Sequence, residues 1–220
     1  LTTVTEAPTS DLGPHSTRED ELDQELLDLP DPPKRERTLT IAMLLFTAAA
    51  SIAMIFALRR DAAYAFAAAA PAEIGDLTAA PADALAENRF VRGQGALGAA
   101  HAIRYERPLV SESFRLMPVS GRDNVWVEVR VPPGGENVRW VPPKEVAGRL
   151  VRFASAGPKH RGLAAAVHDA TGQVVPSDAW LLVEGDAPSG SRWAVLLEVM
   201  FAAFAIWNLL VSAKLLRRVS

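Results

Sequence analysis

Any chemistry in this chain must come from four histidines and a scatter of carboxylates, because it has no cysteine. His15 lies in an acidic tail. His101, His160 and His168 are not spaced as a metal-binding set, and neither an HExxH motif nor a histidine–cysteine cluster occurs. Without cysteine the chain has no disulfide, thiol nucleophile, iron–sulfur ligand or CxxCH haem attachment, although this does not fix its redox compartment. Gly93, Gly95 and Gly98 of Val91-Arg92-Gly93-Gln94-Gly95-Ala96-Leu97-Gly98 have GxGxxG spacing, but no P-loop lysine follows and glycines that bend a strand account for them better; no serine sits in a GxSxG elbow. No catalytic residue, metal or cofactor is therefore expected. An unrecognised active site would need Arg104, Glu106, His101 or His168 to meet in one pocket.

Two polar residues stand out because their surroundings are apolar: Glu198 and Asn208, inside Trp193–Leu216. A carboxylate in hydrocarbon is costly and usually faces protein or water. Glu198 either reaches back to the headgroups or contacts a neighbouring helix, which the small residues Ala202 and Ala205 would let approach closely. This run and Leu39–Leu58 each approach the roughly 20 apolar residues that a bilayer core of about 30 Å requires. The expected fold is thus a membrane protein with two transmembrane helices, 39–58 (with a possible extension to 70) and 193–216. Between them lies a linker at 71–88 and a β domain at 89–190.

Within 89–190 the hydrophobic period is two. Strands are expected from Phe90, bent by its glycines, and at Ala102–Glu106, Ser113–Val119, Asn124–Val131, Val138–Val141, Gly148–Phe153 and Ala179–Glu184. Gly162–Asp169 reads as a short helix or a further strand. In Asn124–Val131, Val125, Val127, Val129 and Val131 share one face, with Trp126, Glu128 and Arg130 on the other. So many short strands predict a small, mainly antiparallel sheet, as an OB-like partly open barrel or else a small sandwich.

Charge is distributed unevenly. Residues 1–33 hold nine acids against one base, so 1–38 is expected to be a disordered acidic tail. Ser16-Thr17-Arg18-Glu19 opens like a capping box, and Leu22, Leu26 and Leu27 follow at helical spacing. Residues 16–28 are either a frayed helix or a docking helix for a cytoplasmic partner. Residues 89–161 carry thirteen Lys/Arg against six Asp/Glu. That excess reads as a solvated sheet face or as an electropositive patch toward anionic lipids or an acidic partner, not nucleic acid. Lys34, Arg35, Arg37, Lys214, Arg217 and Arg218 flank the chain ends, whereas Arg59, Arg60 and Arg192 flank the loop. The positive-inside rule then puts both termini, including 217–220, in the cytoplasm and 61–191 in the periplasm of a bacterial inner membrane. Leu1 stands where Met is expected, which points to processing or a non-AUG start; nothing near it resembles a cleavable signal.

The order of span, extracytoplasmic β domain and returning span resembles the Surfeit-locus family of cytochrome-oxidase assembly factors. Arg139-Trp140-Val141-Pro142, followed by Gly148-Arg149-Leu150, is similar to that family's Arg-Gly-Trp-Val-Pro stretch and the strand after it, without the glycine between Arg and Trp. The resemblance covers about a dozen residues and implies a role in assembling a respiratory complex. The expected function is a non-catalytic accessory subunit or assembly factor whose partners are integral membrane subunits and lipids. The alternative is a membrane-anchored sensor with a ligand-binding outer domain and a partner-recruiting tail. Glu198, Asn208, Ala202 and Ala205 are the candidate partner-helix contacts, and Arg104, Arg139, Trp140 and Arg149 the candidate outer-domain surface.

Overall fold

The computed structural model describes residues 34–107, 110–131 and 140–217. The acidic tail through residue 33, the docking segment 16–28, Arg139 and the first half of the Val138–Val141 strand lie outside the described residues. The elements in chain order are α1 (Lys34–Ala65), β1 (Ala72–Asp76), β2 (Arg89–Gln94), β3 (Ile103–Glu106), β4 (Ser113–Val119), β5 (Arg122–Val131), β6 (Glu145–Arg152), α2 (Leu163–Thr171), β7 (Trp180–Glu184) and α3 (Arg192–Arg217). They divide into two compact units, one of residues up to Thr47 and from Asn208, the other Ala48–Trp207.

Both long helices are apolar and long enough to cross a membrane. Their burial is inverted relative to a soluble helix. Ala48, Ser51 and Ala62 are buried on α1, and Ala194, Ala205, Asn208 and Ser212 on α3. Meanwhile Leu39, Met43, Phe46, Ile52, Met54 and Phe56, with Leu196, Val199, Met200, Phe204, Ile206, Trp207 and Leu210, are exposed. Apart from Tyr64 near the end of α1, which is fully buried, each helix buries a narrow stripe of small and polar residues and turns its bulk outward. In the smaller unit the Thr47 hydroxyl lies 3.2 Å from Asn208 Oδ1. The Ser212 hydroxyl donates to the Asn208 carbonyl at 2.8 Å.

The larger unit is built on one seven-stranded sheet of order β1-β2-β6-β7-β5-β4-β3. Four of its six pairings are antiparallel, as expected, but β1 runs parallel to β2 and β5 parallel to β7, and the sheet stays open in place of the OB-like barrel expected. The reason lies in β7. Its Trp-Leu-Leu-Val run is apolar on both faces, so it is most stable in the middle of the sheet, between β6 and β5, with both faces covered. That insertion leaves β1 and β3 as separated edges. Both are short and carry charges (Glu73 and Asp76; Arg104 and Glu106), which discourages further pairing.

One face packs Val91, Val125, Val127, Val129, Val146, Leu150 and Leu182 beneath Leu77, Ala80 and Leu85. Residues 71–88 are therefore not a linker. They supply β1 and three core side chains, and Arg122 pins them by donating to the carbonyls of Leu77 and Ala80 at 3.0 and 2.7 Å. The other face packs Trp126, Phe153, Leu181 and Val183 against Leu163 and Val167 of α2, so the helical alternative holds for 163–171. Gly148 is required where β6 meets β7: a Cβ there would stand 1.9 Å from the Val183 carbonyl oxygen.

Candidate functional site

Two ionic clusters occupy the larger unit. The first is centred on Glu128. Alternation along β5 sends Val127 and Val129 to one face and Trp126 and Glu128 to the other, where α2 and the turns before it cover them. Glu128 is consequently 2% exposed. Three elements neutralise it. Tyr105, on β3, donates its hydroxyl to Oε2 at 2.5 Å. Arg107, just past β3, places Nη2 2.7 Å from both carboxylate oxygens. His160 ends a short 3₁₀ turn over Pro158–His160, and its Nε2 lies 2.7 Å from Oε2.

The histidine's Nδ1 is 2.9 Å from the Ala156 carbonyl oxygen. Nε2 also lies 3.0 Å from Arg107 Nη2. The Arg107 guanidinium packs 4.2 Å above the Phe114 ring. Burial by itself would push the Glu128 carboxyl up. The hydrogen bond and charge of His160, the Tyr105 hydroxyl and Arg107 outweigh it and hold the group below the usual carboxylate range. Burial and the neighbouring carboxylate push the Tyr105 hydroxyl up. Both Glu128 oxygens have partners, whereas Arg107 Nε is buried without one among the described residues. The arrangement fastens β3, β5 and the 153–162 segment together.

The second cluster is centred on Arg149 of β6. Nη1 pairs with Asp61 of α1 at 2.6 Å, Nε donates to Asn88 Oδ1 at 2.8 Å, and the guanidinium lies 4.5 Å over the Tyr64 ring. Tyr64 in turn donates to the Asp186 carbonyl at 2.6 Å, in the joint before α3. Burial pushes the Asp186 carboxyl up, with Arg149 drawing it the other way. Arg149, expected on the outer surface, thus has a side chain only 12% exposed and joins the end of α1 to the sheet.

The remaining expected residues scatter. Arg104 pairs with Glu106 at 3.3 Å on edge strand β3, Trp140 is half-buried against the core with Arg115 4.6 Å over its ring, and Arg139 lies outside the described residues. On α3, Ala205 and Asn208 are buried, and Glu198 and Ala202 are half-buried. Glu198 follows Ala194 by one turn, which puts it on the buried stripe. His101 is exposed, and His168 is an exposed residue of α2 lying 3.7 Å from Asp169, so they do not meet Arg104 and Glu106 in a pocket.

A surface groove of about 410 Å³ runs beside the Glu128 cluster, lined by Arg60, Phe153, Pro158, His160, Arg161 and Ala164 among others. Sequence reasoning did not find it, because its walls come from the end of α1, the turns after β6 and the start of α2. Nor did it find the Glu128 set. The one signal for that set was a glutamate sharing a strand face with Trp126. Compared with known proteins, the chain matches no family model, no curated protein and no solved structure.

Proposed function

We propose that this is a two-span protein of a bacterial inner membrane, acting as a non-catalytic accessory subunit or assembly factor of a larger membrane complex. The inverted build of α1 and α3 carries the reading. In water, two helices exposing so many Leu, Met, Phe, Ile and Trp side chains would present an apolar surface far larger than monomers tolerate. In hydrocarbon the same surface is neutral, and only the buried polar stripe needs protein contacts.

The 32 residues of α1 span about 48 Å at 1.5 Å per residue, against a hydrocarbon core of about 30 Å. Its last turns therefore stand clear of the hydrocarbon core, where Asp61 and Tyr64 meet Arg149. The sheet is accordingly held by its anchor rather than tethered to it, a build suited to presenting a fixed face to a partner. Charge bias supports an orientation with both termini cytoplasmic and 61–191 periplasmic. The sequence resemblance favours a respiratory complex. Engagement of both Glu128 oxygens by Tyr105, Arg107 and His160 supports a structural role for the carboxylate.

Extraction of native membranes in mild detergent, followed by native mass spectrometry, tests the reading. The chain is expected in fixed ratio with larger integral subunits; recovery alone as a monomer would overturn it. Deleting residues 1–33 separates the sensor alternative, which needs that tail, from the subunit reading, which tolerates its loss.

A further inference from the structure

We infer that the groove beside His160 is a binding site for a phosphate ester, and that its ligand is the headgroup of an anionic membrane lipid. The inference rests on the membrane reading above. Arg60, His160 and Arg161 contribute to the lining, and no carboxylate does. Arg60 is partly engaged: it pairs with Glu87 at 3.3 Å and donates to the Ser155 carbonyl at 3.2 Å. His160 is held by Glu128 and the Ala156 carbonyl. Arg161 is exposed and its guanidinium makes no ion pair or hydrogen bond among the described residues, which leaves it available to a ligand. The first turn of α2 adds Gly162 and Ala164 to the wall, and no side chain caps that helix. Its positive end adds to the same field.

Position selects the lipid. Arg60 lies two residues beyond Leu58, the end of the apolar run, which is about 3 Å along the helix axis. The headgroup layer extends about 5–7 Å beyond the hydrocarbon on each side, so Arg60 sits at phosphate depth. Phe153, Pro158, Ala154 and Ala156 provide apolar wall for a glycerol backbone and the start of an acyl chain. A groove of about 410 Å³ falls within the usual range of ligand pockets, about 300–1,000 Å³.

The test uses the full chain in nanodiscs of phosphatidylcholine alone or with phosphatidylglycerol, and counts lipid retained on detergent release by native mass spectrometry. Wild type is expected to keep phosphatidylglycerol over phosphatidylcholine. Arg161→Gln should reduce that retention about fivefold, the equivalent of about 1 kcal/mol for one arginine at a lipid surface. Ala164→Glu puts a carboxylate into the groove at a solvent-exposed position in the first turn of α2, where an acid favours the helix. It should fold as wild type yet lose retention. A parallel titration of detergent-purified chain with glycerol 3-phosphate reads the soluble source of the same anion. Binding there that Arg161→Gln weakens, without lipid preference, keeps the phosphate site and reassigns its ligand. Neither probe binding, or both variants retaining lipid as wild type does, overturns the site. A chain that fails to enter nanodiscs fails the membrane reading instead, which is read before any lipid is counted.

Discussion

Replacing Glu128 with glutamine tests whether the buried charge cluster holds the outer domain together. The amide keeps the shape of the carboxylate but removes its charge, and turns a donor toward Arg107 Nη2 where an acceptor stood 2.7 Å away. Arg107, with a side chain 18% exposed, and His160, 7% exposed, then lose their counter-ion. Breaking a buried pair from one side typically costs about 3–5 kcal/mol. Arg107 can turn partly to water, so the lower end applies, about 3 kcal/mol. In urea, with a slope of about 2 kcal/mol per molar, the midpoint of outer-domain unfolding should fall by about 1.5 M. Tryptophan fluorescence follows it, since Trp126 and Trp180 both lie in the core. The double variant Glu128→Leu with Arg107→Met should recover only part of the loss, because a buried ion pair replaced by apolar groups is often neutral but the Tyr105 hydroxyl and His160 Nε2 lose their carboxylate partner. A Glu128→Gln midpoint within about 0.2 M of wild type would refute the argument, as such a shift is worth under about 0.5 kcal/mol.

Gly148→Ala should abolish folding of the sheet, at more than about 4 kcal/mol, because its Cβ would meet the Val183 backbone at 1.9 Å. Gly190→Ala, with nothing within 4 Å, should express and resist protease as wild type does. Arg149→Lys should lose about 2 kcal/mol and raise proteolytic cleavage between α1 and β1, since one ammonium cannot serve both Asp61 and Asn88. Glu128 also sets a pH dependence. Its folded-state pKa lies below the ordinary 4.5, so its contribution is fully present above about pH 4.5 and is lost as pH falls through the folded value. Glu184 and Asp186, both raised chiefly by burial, act in the opposite sense. The measurement is therefore the stability difference between wild type and Glu128→Gln across pH 3 to pH 6, expected to shrink toward the acid end. A constant difference would count against the assignment.

The strands were legible where local pattern decides them. Val125, Val127 and Val129 line one face of β5 as their spacing predicts, and Ser113–Val119 is observed as expected. Both long helices could be read from apolar length alone. Sheet order could not, because a period of two fixes which face a residue takes but not which strand lies beside it. A run that is apolar on both faces, such as Trp180–Val183, gave the best clue to a central strand. Residues 71–88 misled through their Ala/Pro composition, since only tertiary contact makes Leu77, Ala80 and Leu85 core. The charge clusters were invisible for a related reason. Tyr105, Arg107, Glu128 and His160 form no sequence motif and converge only after the sheet and the turns before α2 are in place. Arg149 was noticed, but its partners Asp61, Asn88 and Asp186 come from three other segments.

The central claim is that hydrocarbon surrounds α1 and α3 while the sheet lies outside the cytoplasm. The chain has no cysteine, so a single one can be introduced at exposed Val174 and probed with a membrane-impermeant maleimide in intact cells, with carbonate-washed membranes as companion sample. Labelling from outside, with the chain retained in the washed pellet, is the predicted result. Labelling only after the membrane is opened from the cytoplasmic side, or release of the chain by carbonate, would contradict it.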